Sequence, residues 1–249
     1  MSATRHRLWL EALSPGSLVL GGERAHYLRG VLRLGAGDEL TIYAGDGQRA
    51  RAVVKLVTPD TVELVVSDVE RAPAAALDLT VALPAPKGER ADWAVEKLTE
   101  LGVARIVWIT TERTVVVPRG QSRAARWQRL AEAAAKQAGR AQTPRLDGPL
   151  PLDELLASPA DRRFLAHPGG APLVHELAAA GDFASAILLV GPEGGFTAAE
   201  VLRARASGYI GVGLGLFTLR METAVIAGAS ILSCAAQREA RVAPEASTP

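Results

Sequence analysis

From residue 77 onward the chain alternates between short apolar runs and helical patterns, and this alternation is the strongest constraint on its fold. Five such strand–helix units predict an α/β domain with a mainly parallel sheet that is covered by helices on both faces. Ligands of such sheets bind beyond the carboxyl ends of the strands. The predicted strands are residues 77–83, 105–110, 164–166, 186–190 and 209–214, and the helices that follow them are residues 90–101, 123–140, 173–180, 198–207 and 222–238.

The first 72 residues differ, because their short runs are rich in Val, Ile and Leu and resemble strands. We expect strands at residues 39–43, 49–57 and 62–69, with a hairpin turn at Asp46-Gly47. One helix is expected at residues 23–34, where Gly35 would end it. These features predict a small β-barrel.

A Pro- and Ala-containing stretch at residues 71–76 is typical of a linker between domains. The sequence therefore predicts a domain at residues 1–72, an α/β domain at 73–240 and a flexible tail at 241–249.

Composition argues against several classes of protein. One cysteine cannot build a disulfide framework or a cysteine zinc site, and the four histidines lack metal-ligand spacing. The basic N-terminus lacks the apolar stretch of a signal peptide, and no apolar run is long enough to span a bilayer. We therefore expect a soluble, cytoplasmic, metal-free protein without a membrane partner.

Positive charge is concentrated locally, although the formal net charge is only +1. Residues 1–33 contain five arginines against two glutamates, and residues 119–145 contain six arginines and one lysine against one glutamate. On a helical wheel Arg126, Arg129, Lys136 and Arg140 share one stripe, separate from an apolar face. A phosphate-binding surface and an ordinary solvated helix face are both compatible with this pattern.

The glycine loop, residues 190–196, directly follows a predicted strand. Gly194 and Gly195 can adopt positive φ and can expose main-chain groups to a ligand. Thr197 and Glu200 form a capping-box pattern that begins the next helix. A structural turn and a ligand-binding loop both fit these observations, although the loop is not a P-loop.

The arginine loop, residues 214–220, follows the last predicted strand. A cation at Arg220 would face the positive end of the following helix, which is mildly unfavourable. This placement indicates an anionic ligand or a developing negative charge; an ion pair to Glu222 or Glu193 is the alternative. His167, at another strand end, is expected to face the same crevice.

These motifs together resemble the RsmE family of 16S rRNA (uracil-N3) methyltransferases in the SPOUT superfamily. The resemblance covers nearly the whole chain and is most specific at Val-Gly-Pro-Glu-Gly-Gly-Phe (190–196) and at Leu-Arg-x-Glu-Thr-Ala (219–224). Further matching segments are residues 26–33, 37–38, 87–90, 92–93, 97, 99–103, 111–113, 126–127, 132–133, 137, 140 and 214–215.

The resemblance implies an N-terminal PUA-like RNA-binding domain and a SPOUT domain with a C-terminal trefoil knot. It implies a homodimer that uses S-adenosylmethionine to methylate N3 of the family's uridine 1498 site, in free 16S rRNA or in the assembled small ribosomal subunit. Arg220 would be catalytic, and Glu193 is a candidate for orienting the methyl donor or accepting the proton. The expected cofactor-binding residues are Ala166, His167, Val190, Gly191, Pro192, Glu193, Gly194, Gly195, Leu214, Gly215, Leu219 and Arg220. The expected RNA-binding residues are Arg5, Arg7, His26, Arg29, Arg33, Lys87, Arg90, Arg113, Arg126 and Arg140.

One departure from the family pattern concerns the arginine loop. Phe217 and Met221 stand where the family commonly has arginine and threonine, so Arg220 is the loop's only arginine. Two other functions stay open: a SPOUT enzyme that methylates ribose 2′-hydroxyls, and a non-catalytic RNA-binding protein that keeps the fold.

Overall fold

A computed structural model describes residues 6–45, 47–72, 76–86, 88–115 and 120–242, with side chains described up to residue 236 except at 121. The chain divides into two compact units. The first comprises Met1–Ala74 with Ala135–Thr143, and the second comprises Ala75–Ala134 with Pro144–Pro249. Residues 135–143, which the sequence predicts to lie in the second domain, therefore belong to the first unit.

The first unit contains a six-stranded sheet in the order β1-β3-β4-β5-β2, with β6 paired to β4. Its strands are β1 (Arg7–Leu10), β2 (Gly16–Gly21), β3 (Glu39–Ala44), β4 (Gln48–Val57), β5 (Thr61–Val66) and β6 (Glu70–Arg71). β1 pairs with β3 in parallel, and the other pairs are antiparallel. The strands predicted at 39–43 and 49–57 are confirmed, whereas the third ends at Val66, before the predicted residue 69.

The helical segment of the first unit is shorter than predicted. Helix α1 (Gly22–His26) continues into a π-helical turn, Tyr27–Val31, and Gly35 does not end it. The wide π turn brings Leu28 and Leu34 into the core, where they are 0% and 5% exposed. Arg33 follows the turn with a positive φ of 55°.

The second unit contains the predicted parallel sheet, with six strands in the order β12-β10-β11-β7-β8-β9. Every neighbouring pair in it is parallel. The strands are β7 (Asp78–Leu83), β8 (Arg105–Thr110), β9 (Arg145–Pro151), β10 (Arg162–Pro172), β11 (Ser185–Leu189) and β12 (Ile210–Gly213). The helices are α2 (Arg90–Glu100), α3 (Gln121–Ala138), α4 (Leu152–Leu156), α5 (Leu173–Ala179), α6 (Ala198–Ala206) and α7 (Met221–Val242).

Several boundaries differ from the sequence prediction. β9 and α4 were not predicted. For β9 the reason is that Gly148 and Pro149 lie inside it, and residues of these types usually mark loops. Helix α3 ends at Ala138, before the predicted residue 140. Helix α7 continues to Val242, so the start of the predicted tail is helical; residues 243–249 lie outside the described part.

Successive residues of the central strands pack on opposite faces of the sheet. On β7, Val81 and Leu83 belong to the larger core cluster, while Ala82 belongs to a second cluster with Ile187 and Leu189 of β11. Burial on both faces explains why these strands are continuously apolar and could be predicted. No helix among the described residues is long and apolar enough to cross a membrane, and no group of His, Cys, Asp or Glu there could hold a metal ion.

Candidate functional site

The sheet order of the second unit brings three loops together. β10 lies between β12 and β11, and all three strands run in the same direction. The segments at their carboxyl ends therefore share one edge of the sheet, where parallel sheets bind ligands. These segments are the glycine loop after β11, the arginine loop after β12, and a bulge in β10.

The β10 bulge, residues 167–170, contains His167. Ala166 and Ala171 both pair with Val212, so the four residues between them protrude from the ladder. β10 continues beyond the predicted strand end and reaches Pro172. A Cβ atom on Gly170 would lie 2.6 Å from backbone atoms of Gly211 and Val212. The main chains of the bulge and β12 are therefore in direct contact, and no side chain separates them.

The glycine loop is folded onto itself by short-range contacts. The Gly195 N–H donates to the Pro192 carbonyl at 2.8 Å. Gly195 has a φ of 69°, whereas Gly194 is not among the residues with positive φ, so only one of the two glycines uses that freedom. The Phe196 ring covers Gly191, where a Cβ would lie 2.8 Å from the ring. The turn is therefore closed by its own residues, and at Gly191 the main chain packs directly against the Phe196 ring.

The predicted capping box at the start of α6 is confirmed. The Glu200 N–H donates to Thr197 Oγ1 at 3.2 Å, and Glu200 Oε2 accepts from the Thr197 N–H at 2.8 Å. Glu200 is 1% exposed, and its Oε1 also accepts from the Glu112 N–H at 2.8 Å. One buried carboxylate therefore joins the segment after β8 to the end of the glycine loop.

We expect Glu200→Ala to lower the free energy of unfolding by about 1–3 kcal/mol, because it leaves main-chain donors unpaired. Glu154→Ala, at an exposed glutamate in the first turn of α4, is the matched control. Urea unfolding of both variants measures the difference. Equal stability of the two variants would show that the buried carboxylate does not hold these segments.

Two of the arginines predicted to bind RNA contact the glycine loop. Arg113 Nη1 donates to the Gly194 carbonyl at 2.6 Å. Arg90, the first residue of α2, has Nη1 3.9 Å from Glu193 Oε1 and Nε 3.7 Å from Glu222 Oε1. The sequence offered one signal for this role, because a cation at the first residue of a helix needs compensating negative charge.

Arg220 lies immediately before α7 and is exposed. Among the described residues, its guanidinium has no hydrogen bond or ion pair, so the predicted alternative of a pair with Glu222 or Glu193 does not form. Leu214 and Leu219 are half-buried, and Gly215 is exposed. Leu216 and Phe217 are 97% and 84% exposed. The loop therefore presents a charged guanidinium beside two apolar side chains.

The other predicted RNA-binding residues have varied surroundings. Arg7 Nη1 donates to the Ala138 carbonyl at 3.3 Å, and the Arg126 guanidinium forms an ion pair with Asp92. Arg140 lies beyond the end of α3, so the predicted helical stripe stops before it, and burial lowers the pKa of its guanidinium. His26, Arg29 and Arg33 lie at exposed positions in or beside the π-helical turn, whereas Arg5 and Lys87 lie outside the described residues.

Known proteins resemble this chain over most of its length. The RNA methyltransferase domain family matches residues 73–233, and the RNA methyltransferase PUA domain family matches residues 20–67. Ribosomal RNA small subunit methyltransferase E of Synechocystis is 32% identical over 221 residues, which cover 86% of this chain and 72% of the relative. The Bacillus subtilis protein of the same name is 29% identical, with coverages of 85% and 88%.

A solved structure has the same fold. Ribosomal RNA small subunit methyltransferase E from Neisseria gonorrhoeae, bound to S-adenosyl methionine, superposes with a TM-score of 0.71 at 27% identity. The superposition covers 92% of this chain and 97% of the other. The fold of that protein is therefore compatible with a bound methyl donor.

Proposed function

The chain belongs to the RNA methyltransferase family and, within it, to the ribosomal RNA small subunit methyltransferase E group, and we propose that it methylates N3 of a specific uridine in 16S rRNA. The methyl donor is S-adenosylmethionine, as in the Neisseria structure. The observation that carries this proposal is the convergence of the glycine loop, the β10 bulge and the arginine loop at one edge of the sheet.

The residues at this edge fit such a donor. Its adenosine and methionine parts need hydrogen-bonding groups in a close-fitting crevice, and the direct contact of Gly170 with β12 keeps side chains out of the space between these backbones. Ala166, His167, Gly191, Leu214 and Leu219 would hold the donor mainly through backbone groups. When bound, the donor supplies a methyl group attached to a sulfonium sulfur. This methyl group is transferred easily once a nucleophile is aligned with it.

Arg220 would supply the charge stabilisation. Uracil N3 becomes nucleophilic as its proton leaves, and negative charge then spreads onto the flanking carbonyl oxygens. The guanidinium of Arg220 would stabilise the charge on these oxygens, as hydrogen-bond donors do in an oxyanion hole. The absence of an ion-pair partner for Arg220 among the described residues supports this role, since its guanidinium remains available.

The RNA would be held by the PUA domain and by arginines of the second unit. N3 lies on the pairing edge of the base, so the target uridine must be unpaired or flipped out. We further propose a homodimer in the cytoplasm and a trefoil knot in the C-terminal part. The strand order supports the knot, because the chain leaves β11, pairs β12 on the far side of β10, and returns in α7 to pack on β7.

Methylation of 16S rRNA and of small-subunit particles, with mass spectrometry of the digested nucleosides, tests the proposal. We expect 3-methyluridine at one site. A 2′-O-methylated nucleoside would instead identify a ribose methyltransferase. Calorimetry with S-adenosylmethionine separates these enzymes from a non-catalytic RNA-binding protein, which would show no binding.

The predicted RNA surface on α3 has its own test. Changing Arg126 and Arg129 together to Gln should weaken RNA binding and reduce its salt dependence, because fewer counterions are released. The RNA affinities of the variant and of the wild-type protein are compared by titrating RNA at several salt concentrations. An unchanged salt slope would exclude this surface from phosphate binding.

A further inference from the structure

Arg90 occupies a bridging position between two of the three loops. Its Nη1 lies 3.9 Å from Glu193 Oε1, in the glycine loop. Its Nε lies 3.7 Å from Glu222 Oε1, in the first turn of α7 and two residues after Arg220. A single guanidinium on α2 thus faces carboxylates from both sides of the crevice.

The two carboxylates differ in burial. The Glu193 side chain is 53% exposed, so water can solvate its charge. The Glu222 side chain is only 13% exposed, and its Oε2 is buried with no hydrogen-bond partner. A buried carboxylate needs a compensating charge and hydrogen bonds. Arg90 supplies the charge, but at 3.7 Å it does not yet supply a hydrogen bond.

Arg90 is chemically suited to join two partners. Its guanidinium has five N–H donors in a rigid planar fork, so it can engage two carboxylates at once. Lysine at the same place would carry a point charge on a flexible stem.

We propose that Arg90 is a positioning residue that couples the glycine loop to the arginine loop through Glu193 and Glu222. Arg90 holds Glu222 and therefore the start of α7, with Arg220, in register with the glycine loop. This inference rests on the proposed function. It also differs from the sequence prediction that Arg90 binds RNA.

Arg90→Gln tests the coupling. We expect its affinity for S-adenosylmethionine, measured by calorimetry without RNA, to fall about tenfold, and its kcat to fall by up to roughly a hundredfold, because small misplacements of catalytic groups have large effects. The KM for RNA should stay near the wild-type value. Arg90→Lys should recover part of the loss, and Arg145→Gln, which removes an exposed arginine paired with Asp147, should behave as wild type.

Glu222→Gln extends the test to the buried partner. If Arg90 acts through Glu222, the double variant Arg90→Gln/Glu222→Gln should bind the methyl donor no more weakly than the weaker single variant, since coupled residues are not additive. Thermal unfolding of every variant verifies that each is folded.

Two results would overturn the proposal. One is normal donor affinity and normal kcat in Arg90→Gln, with a smaller salt slope of RNA binding, which would make Arg90 a phosphate contact. The other is additive loss in the double variant. If the wild-type protein formed no 3-methyluridine but Arg90→Gln still weakened donor binding, the proposed function would fail while the coupling stood.

Discussion

Arg220→Ala is expected to lower kcat by about 100- to 1000-fold, the usual effect of removing one donor that stabilises a developing anion. The affinity for S-adenosylmethionine should change little, because the donor would be held mainly by main-chain groups. The exposed guanidinium has no partner among the described residues, so its loss should leave stability nearly unchanged. Single-turnover methylation of small-subunit particles at saturating donor measures the effect.

Two further variants make this measurement specific. Arg220→Lys keeps the charge but loses the planar fork and should recover only part of the rate. Thr218→Ala removes an exposed side chain from the same loop and should retain wild-type turnover. Wild-type turnover in Arg220→Ala itself would exclude a catalytic role for this residue.

Gly170→Ala should have the largest effect on the architecture of the site. The added Cβ would lie 2.6 Å from backbone atoms of Gly211 and Val212, which cannot rotate away. The β10 bulge and β12 would have to separate, at a cost of about 1–3 kcal/mol in the free energy of unfolding. Donor affinity should fall about tenfold or more, since Ala166 pairs with Val212 at this contact and Leu214 follows two residues after Val212.

Gly169→Ala is the matched control for that variant. Gly169 has a φ of 83°, so an alanine there is strained, but nothing lies within 4 Å of its Cβ position. It should lose about 1–2 kcal/mol of stability and keep wild-type donor affinity. Equal donor affinities for the two variants would contradict the importance of the main-chain contact.

Secondary structure could be predicted from the sequence where the local residue pattern matches the environment of the folded segment. β7, β8 and β11 are apolar on both faces because helices or loops cover both sides, and a continuous apolar run records this directly. The capping box at Thr197 and Glu200 could also be predicted, because it depends on residues three apart.

Prediction failed where long-range contacts override local preference. β9 contains Gly148 and Pro149 and forms an edge strand through its pairing with β8. The π-helical turn at Tyr27–Val31 accompanies the burial of Leu28 and Leu34, and periodicity alone does not reveal such a turn.

The charged residues of the site were the hardest to assign. Arginines on an RNA-binding protein suggest phosphate contacts, and the sequence does not show which of them face carboxylates. The partners of Arg90 lie about a hundred residues away or more in the chain, and only the fold brings them near. Arg113 was assigned to RNA for the same reason, although its partner is the Gly194 carbonyl.

The main-chain contact between Gly170 and β12 has a consequence for the design of inhibitors. A compound that binds this crevice through backbone groups would meet carbonyl groups that every amino acid carries and N–H groups that only proline lacks. No substitution removes a backbone carbonyl, and at Gly170 any added side chain collides with backbone. Few routes to resistance would then remain, because a change that excluded the compound would also disturb the space in which we propose that S-adenosylmethionine binds.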